Sequence, residues 1–587
     1  MSALRFLLRM RKGRQSPLRI SLVQSPSVSS DDEALLWCSD PARVLHLPAD
    51  QGVIIGRLFS RETFSAIEEM TAAEAARLVD SGGAALIKDY WGAYVAVHQS
   101  DDVGGYSIIR APSGFLPCYQ VETHAHHIWA SDLHTLSAAG IAVSKVDWER
   151  LYEHLQWPDV RRRHSCIDGV SELAPGSART VSGHEAGDRM LWEPWIFVHP
   201  NMAIDPDQAV TRLRDTVFAS VSALASDYQN IIVGVSGGLD SSIVCAALTR
   251  GGHRFSCLTM ATTDASGDER RYAASVAAVA GVPLAAHQYA VDNIDLSRSS
   301  AAHLPRPVGR PFLQELDRAY AAETCKNRAD AIFTGNGGDN VFCFLHSAAP
   351  VVDRFRQEKG LKPAWNTLLD MCRVTQCDIP TMARAAFNLS RTRSSLVASE
   401  PDLTLLNAAR AALAQSAPLT PYMDRGSGRF PGKLAHVRLL QRIQNFVEGQ
   451  DRTTFPPMFP VLLAQPIVET CLRISSWQWC EGGINRSVAR RAFGGFLPRQ
   501  VVHRTSKAGP DSVTAAAFES GRPKLRELLL DGLLRQNRII DAVAVEQALS
   551  SARTSRDQLL YRILDLADAE AWARSWSAGS SGSALDR

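Results

Sequence analysis

The sequence predicts an α/β protein of two domains, and three observations carry that expectation. A chain of 587 residues is too long for one ordinary core, yet with 45% hydrophobic and 21% charged residues its composition is that of a globular protein. Its first part is dense in short β-branched and aromatic segments. In its middle, strand and helix patterns alternate, which implies a parallel sheet with crossover helices.

In chain order, GVIIGRLF, AALIKDYWGAYVAVHQ, GYSIIRA, CYQVE and HHIWASD, separated by Gly, Pro and Asp turns, predict a mostly β domain over residues from about 20 to 190. The three prolines of LWEPWIFVHPNMAIDPDQ mark a connection. Val210, Leu213, Val217, Val221 and Leu224 then recur at helical spacing. NIIVGV reads as a buried strand, SSIVCAALTRGG as a helix ending on glycine, and FSCLTM, which includes Met260, as a strand. ERRYAASVAAVAG follows as helix, LAAHQYA as strand, FLQELDRAYAAETCKN as helix and DAIFTG as strand. Helical patterns dominate from about residue 350 to 575, and residues 576–587 read as a disordered tail.

Sixty-three basic and 61 acidic residues leave a net charge of +2, so no global field points to nucleic acid. The cluster Arg161-Arg162-Arg163-His164 reads as a solvated face. Eleven scattered cysteines without a C-x-x-C pair suggest reduced thiols and a cytoplasmic protein. The basic start, MSALRFLLRMRKGRQ, lacks the apolar run of a signal peptide or anchor, and no stretch is long enough to insert into a membrane.

The stretch GVSGGLDSS, residues 234–242, stands between strand and helix, and two readings compete for it. It contains G-x-S-x-G, which on such a turn is the elbow of a serine hydrolase with Ser236 as nucleophile. The other reading is a phosphate cradle of Val235, Ser236, Gly237, Gly238, Ser241 and Ser242. There, glycines permit close backbone approach and a helix N-terminus offers unpaired N–H groups to an anion. Asp240 favours the cradle: an acid beside phosphate repels it unless a cation stands between, which implies Mg²⁺. No Walker A lysine motif occurs, and a capping turn without function is the plain alternative. DAIFTGNGGDNVF, residues 330–342, again runs from strand into a glycine-rich turn with an acid, Asp339. Ligands of open α/β sheets collect at the carboxyl ends of strands, so both turns can face one crevice, with Asp240 and Asp339 as a two-carboxylate Mg²⁺ site.

SGGLDSS with a downstream TGNGGD resembles the pyrophosphate-loop (PP-loop) ATP fold of asparagine synthetases and their relatives, the β-lactam synthetases and lasso peptide cyclases. In that family ATP is cut between its α and β phosphates, a carboxylate becomes an acyl-adenylate, and an amine displaces AMP. The resemblance implies that Ser236 to Ser242 hold pyrophosphate and that Thr334 and Gly335 lie near the adenosine and α-phosphate. It adds Met260 to the ATP-binding residues and Asp240 and Asp339 as metal ligands. YWGAYVAVHQ, SIIRAPSGFLPCYQ and IWASDL resemble the glutaminase half of asparagine synthetases. The implied fold is an N-terminal Ntn/glutaminase-like β-rich α+β domain over 1–200 and a doubly wound parallel-sheet ATP pyrophosphatase domain over 201–575.

Glutamine-using asparagine synthetases start at Met-Cys, whereas this chain starts Met1-Ser2, and RMRKGRQ is expected to displace the first strand. The first domain therefore reads as a scaffold without glutaminase activity. Asn336 and Asn340 replace acids usual in asparagine synthetases, and TTFPPMFPVLLAQPIVETCLRISSWQW lacks their aspartate-positioning Glu-x-Arg run. LLAQPIVETCLRI, GGINRSVARRAF and LPRQVVHRTSKAG instead resemble lasso peptide cyclases, which join a peptide's N-terminal amine to a side-chain Asp or Glu. That implies, as partners, a precursor peptide freed of its leader and the leader peptidase that frees it. Lys507 falls where related synthetases place a lysine that contacts phosphate and the acyl transition state. Glu448 resembles the acid that pairs with the amine side in β-lactam synthetases, a helix-surface Glu being the plain alternative.

The expectation is thus an ATP- and Mg²⁺-dependent macrolactam-forming ligase, with an ammonia-dependent asparagine synthetase or other small-molecule amide ligase as the alternative. A silent peptide-binding scaffold is the rival of another class. His124, His126 and His127 suit an exposed hairpin better than a metal site, and Cys372 and Cys377 suit helix positions.

Overall fold

The computed structural model describes residues 2–578 except 14–17, 28–31, 101–104, 144, 183–184, 263, 265–266, 392–400, 412–429, 505–509 and 552–556. The first twelve strands are β1 (Phe6–Arg11), β2 (Ser21–Val23), β3 (Ala34–Cys38), β4 (Val44–His46), β5 (Gly52–Ser60), β6 (Tyr90–Gln99), β7 (Tyr106–Arg110), β8 (Tyr119–Glu122), β9 (His126–Ala130), β10 (Val170–Glu172), β11 (Ser177–Ser182) and β12 (Glu185–Met190). They form two sheets, ordered β10-β8-β9-β1-β3-β2 and β12-β11-β7-β6-β5-β4, with β2 and β3 parallel and the other pairs antiparallel.

The period of two decides how these sheets pack. Phe6, Leu8 and Met10 face a core shared with Val53, Ile55, Val95, Val97 and Ile108 of the other sheet. The alternate residue Leu7 packs instead with Leu133 and Leu151 of helices on its own outer side. Ile54, Ala96 and Ile109 do the same on the second sheet with Ala75 and Leu86. The result is four layers: helix, sheet, sheet, helix.

Here the structure corrects one expectation. The basic segment does not displace the first strand: β1 begins at Phe6 and carries Arg9 and Arg11 itself. Those arginines fall on the alternate positions, so the strand buries Met10 while Arg11 stays exposed.

The second part holds β13 (Ile231–Gly234), β14 (Phe255–Ala261), β15 (Leu284–Gln288), β16 (Ala331–Thr334) and β17 (Met458–Pro460) in the order β15-β14-β13-β16-β17, all parallel. Both faces are covered, as the unbroken apolar runs of the strands require. Ile231 and Val233 pack with Leu213 and Ile243, whereas Ile232 and Ile332 pack with Tyr320. The helices Pro206–Ala225, Leu239–Arg250, Arg270–Ala280 and Leu313–Asn327 fall where their periodicity predicts them. The sequence pattern misses β17, which has three residues among prolines. An edge strand tolerates proline, and the Pro457 carbonyl still accepts from the Ile332 N–H at 2.9 Å.

Helices dominate the remainder, as predicted. Residues 576–578, assigned by the sequence to a disordered tail, complete the helix Gln558–Ala578, with Trp576 against Trp572 at 6.4 Å between ring centres. Residues 579–587 lie outside the described residues. Among the described residues, no helix is long and apolar enough to cross a membrane.

Two buried polar joints tie the antiparallel sheets to the rest. Glu469 accepts from Trp192 Nε1 and Gln465 Nε2, each at 2.9 Å, and from Arg61. Arg110, Arg161 and Arg306 surround Glu172 and Glu448, with Tyr119 donating to Glu448. Arg161 is therefore buried in an ion cluster and does not belong to the solvated face its basic neighbours suggest.

Candidate active site

At the end of β13 the chain turns through Val235, Ser236 and Gly237 into the helix Leu239–Arg250, whose N-cap is Gly238. Gly237 has φ +64°, and a Cβ there would stand 2.2 Å from the Cβ of Tyr272, so only glycine fits. The helix N-terminus thus opens toward the carboxyl edge of the sheet with its first N–H groups.

β16 ends the same way, and the two turns touch. A Cβ on Gly335 would lie 2.4 Å from the Ser241 nitrogen. From β13 the sheet proceeds to β14 on one side and to β16 on the other, so this contact sits at the point where strand order reverses. That is where open α/β sheets bind ligands.

A cavity of about 370 Å³ opens there. Val235, Ser236, Gly238, Asp240, Ser241, Met260, Thr334 and Gly335, all singled out from the sequence, line it together. Three others hold the site from behind. Gly237 supplies the turn's conformation, and its carbonyl accepts from Arg504 at 3.3 Å. Asp339 is reached through Arg486, which does line the cavity. Ser242 departs from the expected cradle: its hydroxyl donates to the Gly238 carbonyl at 2.7 Å and is committed to its own helix.

The charges are arranged in pairs. Arg486 Nη1 lies 3.1 Å from both carboxylate oxygens of buried Asp240 and also contacts Asp339. Arg504 pairs with Glu269 and stacks over Tyr272 at 4.1 Å. Arg490 bonds to the carbonyls of Asn485, Val502 and Arg504 and to Asn485 Oδ1. Burial, with Arg486 beside it, lowers its pKa to about 10, which still leaves it charged at neutral pH. The sequence patterns do not pick out Arg486 and Arg490 as site residues. Their spacing of one helical turn in NRSVAR was the available signal.

Two carboxylates around one cation position, beside a helix N-terminus and three guanidinium groups, suit a polyphosphate carried with a divalent cation. The donor set fits Mg²⁺, which takes one or two carboxylates and completes its shell with phosphate oxygens and water. Among the described residues that line the cavity there is no histidine to serve Ser236 as the base of a hydrolase elbow.

Glu448 lies elsewhere. It does not line this cavity; its carboxylate is held by Arg110, Arg161 and Tyr119 in the buried cluster, which ties it to the antiparallel sheets. Those arginines and the tyrosine keep its pKa below the usual carboxylate range against the opposing effect of burial. Lys507 lies outside the described residues. Asn336 lines the cavity, whereas Asn340 turns away and donates to the Leu439 carbonyl at 2.8 Å. His126 and His127 begin β9, in a hairpin with β8, and burial lowers the pKa of both.

No curated protein sequence matches the chain. Among solved structures it is similar to the allosteric regulatory enzyme of purine biosynthesis, with 9% identity, TM-score 0.17, and coverage of 42% of this chain and 62% of that one. It is similar also to glutamine phosphoribosylpyrophosphate amidotransferase from B. subtilis complexed with ADP and GMP, with 8% identity, TM-score 0.19, and coverage of 48% and 59%. The chain spans about three fifths of the length of these structures, and likeness this slight carries no argument. The asparagine synthase family model, in contrast, matches residues 212–574, more than half of the chain and all of the parallel sheet with its two glycine turns, and the chain belongs to the asparagine synthase family.

Proposed function

We propose that this protein closes a macrolactam ring in a peptide, joining the N-terminal amine of a leader-free precursor to a side-chain Asp or Glu with release of AMP and pyrophosphate. Members of its family are ATP-dependent amide ligases, and the proposal is the finer statement. One observation carries it. The segments that resemble lasso peptide cyclases, GGINRSVARRAF and LPRQVVHRTSKAG, supply Asn485, Arg486, Arg490, Val501 and Arg504 to the wall of the cavity.

In this reading ATP with Mg²⁺ supplies the activation of the carboxylate. The N–H groups at the start of Leu239–Arg250 and the hydroxyls of Ser236 and Ser241 hold the pyrophosphate. Thr334, Gly335 and Met260 would border the nucleotide, and Asp240 and Asp339 would hold the metal. Arg490 and Arg504 offset charge on the departing phosphates, with Lys507 as the cation at the acyl centre. The four-layer region over 1–200 serves as the glutaminase-like scaffold and 201–575 as the synthetase domain.

The test is incubation with Mg·ATP and the precursor peptide, with and without its leader. Loss of one water from the leader-free peptide, matched by AMP, is the expected result. An unchanged peptide mass, with amide formation from free aspartate and ammonia, would turn the reading into a small-molecule amide ligase.

A further inference from the structure

We infer that Arg486 is a built-in cation that holds the two-carboxylate site and yields it to the metal only when nucleotide arrives; the inference rests on the function proposed above. A single guanidinium nitrogen, Nη1, serves three carboxylate oxygens: both of Asp240 at 3.1 Å and one of Asp339. An arginine fork prefers two parallel bonds to two oxygens of one carboxylate. One nitrogen shared between two carboxylates is instead the position of a compact ion.

The chain is bent to put it there. Arg486 has φ +53°, a left-handed backbone uncommon for any residue but glycine, and it caps the helix Ser487–Phe493 from that conformation. Its guanidinium also lies 5.1 Å over the ring of Phe344, whose N–H donates to the Asp339 carbonyl at 2.9 Å. The arginine is therefore seated on the same turn whose acid it neutralises.

Two consequences follow. Asp240 and Asp339 are kept from repelling one another by a charge that belongs to the protein. A divalent ion cannot occupy the shared position while Nη1 stands in it. Phosphate oxygens offer the displaced guanidinium new partners, so metal and nucleotide enter together rather than the metal first.

The experiment titrates free Mn²⁺, read by its paramagnetic resonance signal, into nucleotide-free wild-type protein, Arg486→Ala, Arg486→Gln, Arg486→Lys and Arg486→Ala combined with Asp240→Asn. Arg486→Ala is expected to bind Mn²⁺ at least about tenfold more tightly than wild type, and Asp240→Asn added to that variant to abolish the gain. Thermal melting of Arg486→Ala should rise with Mg²⁺ alone, whereas wild type should respond only to Mg²⁺ with ATP. Arg486→Lys, which keeps a charge, should behave as wild type; Arg486→Gln, which keeps the bulk and loses the charge, should bind Mn²⁺ as Arg486→Ala does and serves if the alanine variant does not fold. Equal Mn²⁺ affinity in wild type and Arg486→Ala would overturn the inference and leave the ligase reading standing. Tighter binding by Arg486→Ala, with no AMP formed by wild type from any acid and amine, would sink the ligase reading and leave the exchange of cations intact.

Discussion

A Cβ added to Gly338 would stand 2.3 Å from the carboxyl carbon of Asp240, so the second glycine turn is pressed against the acid of the first. The position of Asp240 is thereby set from two strands at once. Gly338→Ala must move the turn or the carboxylate. Overpacking of this kind costs about 1–3 kcal/mol of stability, and a misplacement near 1 Å costs about 10²-fold in rate. Thermal melting and the rate of AMP formation check both, and wild-type turnover by the variant would remove the proposed role of Asp240.

Asp240→Ala tests that role at its source. The variant should fold, because Arg486 keeps Asp339 as a partner, but should form no AMP at any Mg²⁺ concentration. Calorimetry should show that Mg²⁺ no longer strengthens ATP binding. Normal turnover by this variant would cancel the metal assignment.

Glu448 is expected to matter for stability and not for nucleotide handling. Glu448→Ala leaves Arg110 and Arg161 to share Glu172, and loss of a buried partner costs about 3 kcal/mol or more. The denaturant midpoint should fall while the KM for ATP stays put. A variant as stable as wild type with turnover reduced about 10²-fold would return Glu448 to the chemistry.

Asp568 predicts a pH dependence unrelated to the site. Burial raises its pKa to about 7, above its value in the unfolded chain, so the folded protein favours the neutral carboxyl. Its contribution is full below about pH 4 and is lost as pH rises through about 7. Asp568→Asn, neutral throughout, should flatten this fall, read as a smaller difference in melting temperature between pH 5 and pH 8 than in wild type. Parallel profiles would show that Asp568 does not titrate in that window.

The parallel sheet was legible because its strands are buried on both faces and its helices keep period, as NIIV and SSIVCAAL show. The glycine turn after β13 was legible because Gly237 carries a local requirement of backbone angle. Arg486 and Arg490 were not, because a spacing of one helical turn does not tell which groups two arginines meet, and Asp240 stands far from Arg486 along the chain. The buried cluster around Glu448 was hidden for the same reason: its partners Arg110 and Arg161 come from another part of the chain. β17 escaped because three residues among prolines show no period at all.

The most direct measurement is the identity of the nucleotide product when Mg·ATP is supplied with leader-free precursor peptide, or with free aspartate and ammonia. The account predicts AMP and pyrophosphate with the peptide alone, in step with loss of one water from the peptide. ADP and phosphate under either condition would contradict it, since cleavage would then fall beyond the bond that the two glycine turns are proposed to hold.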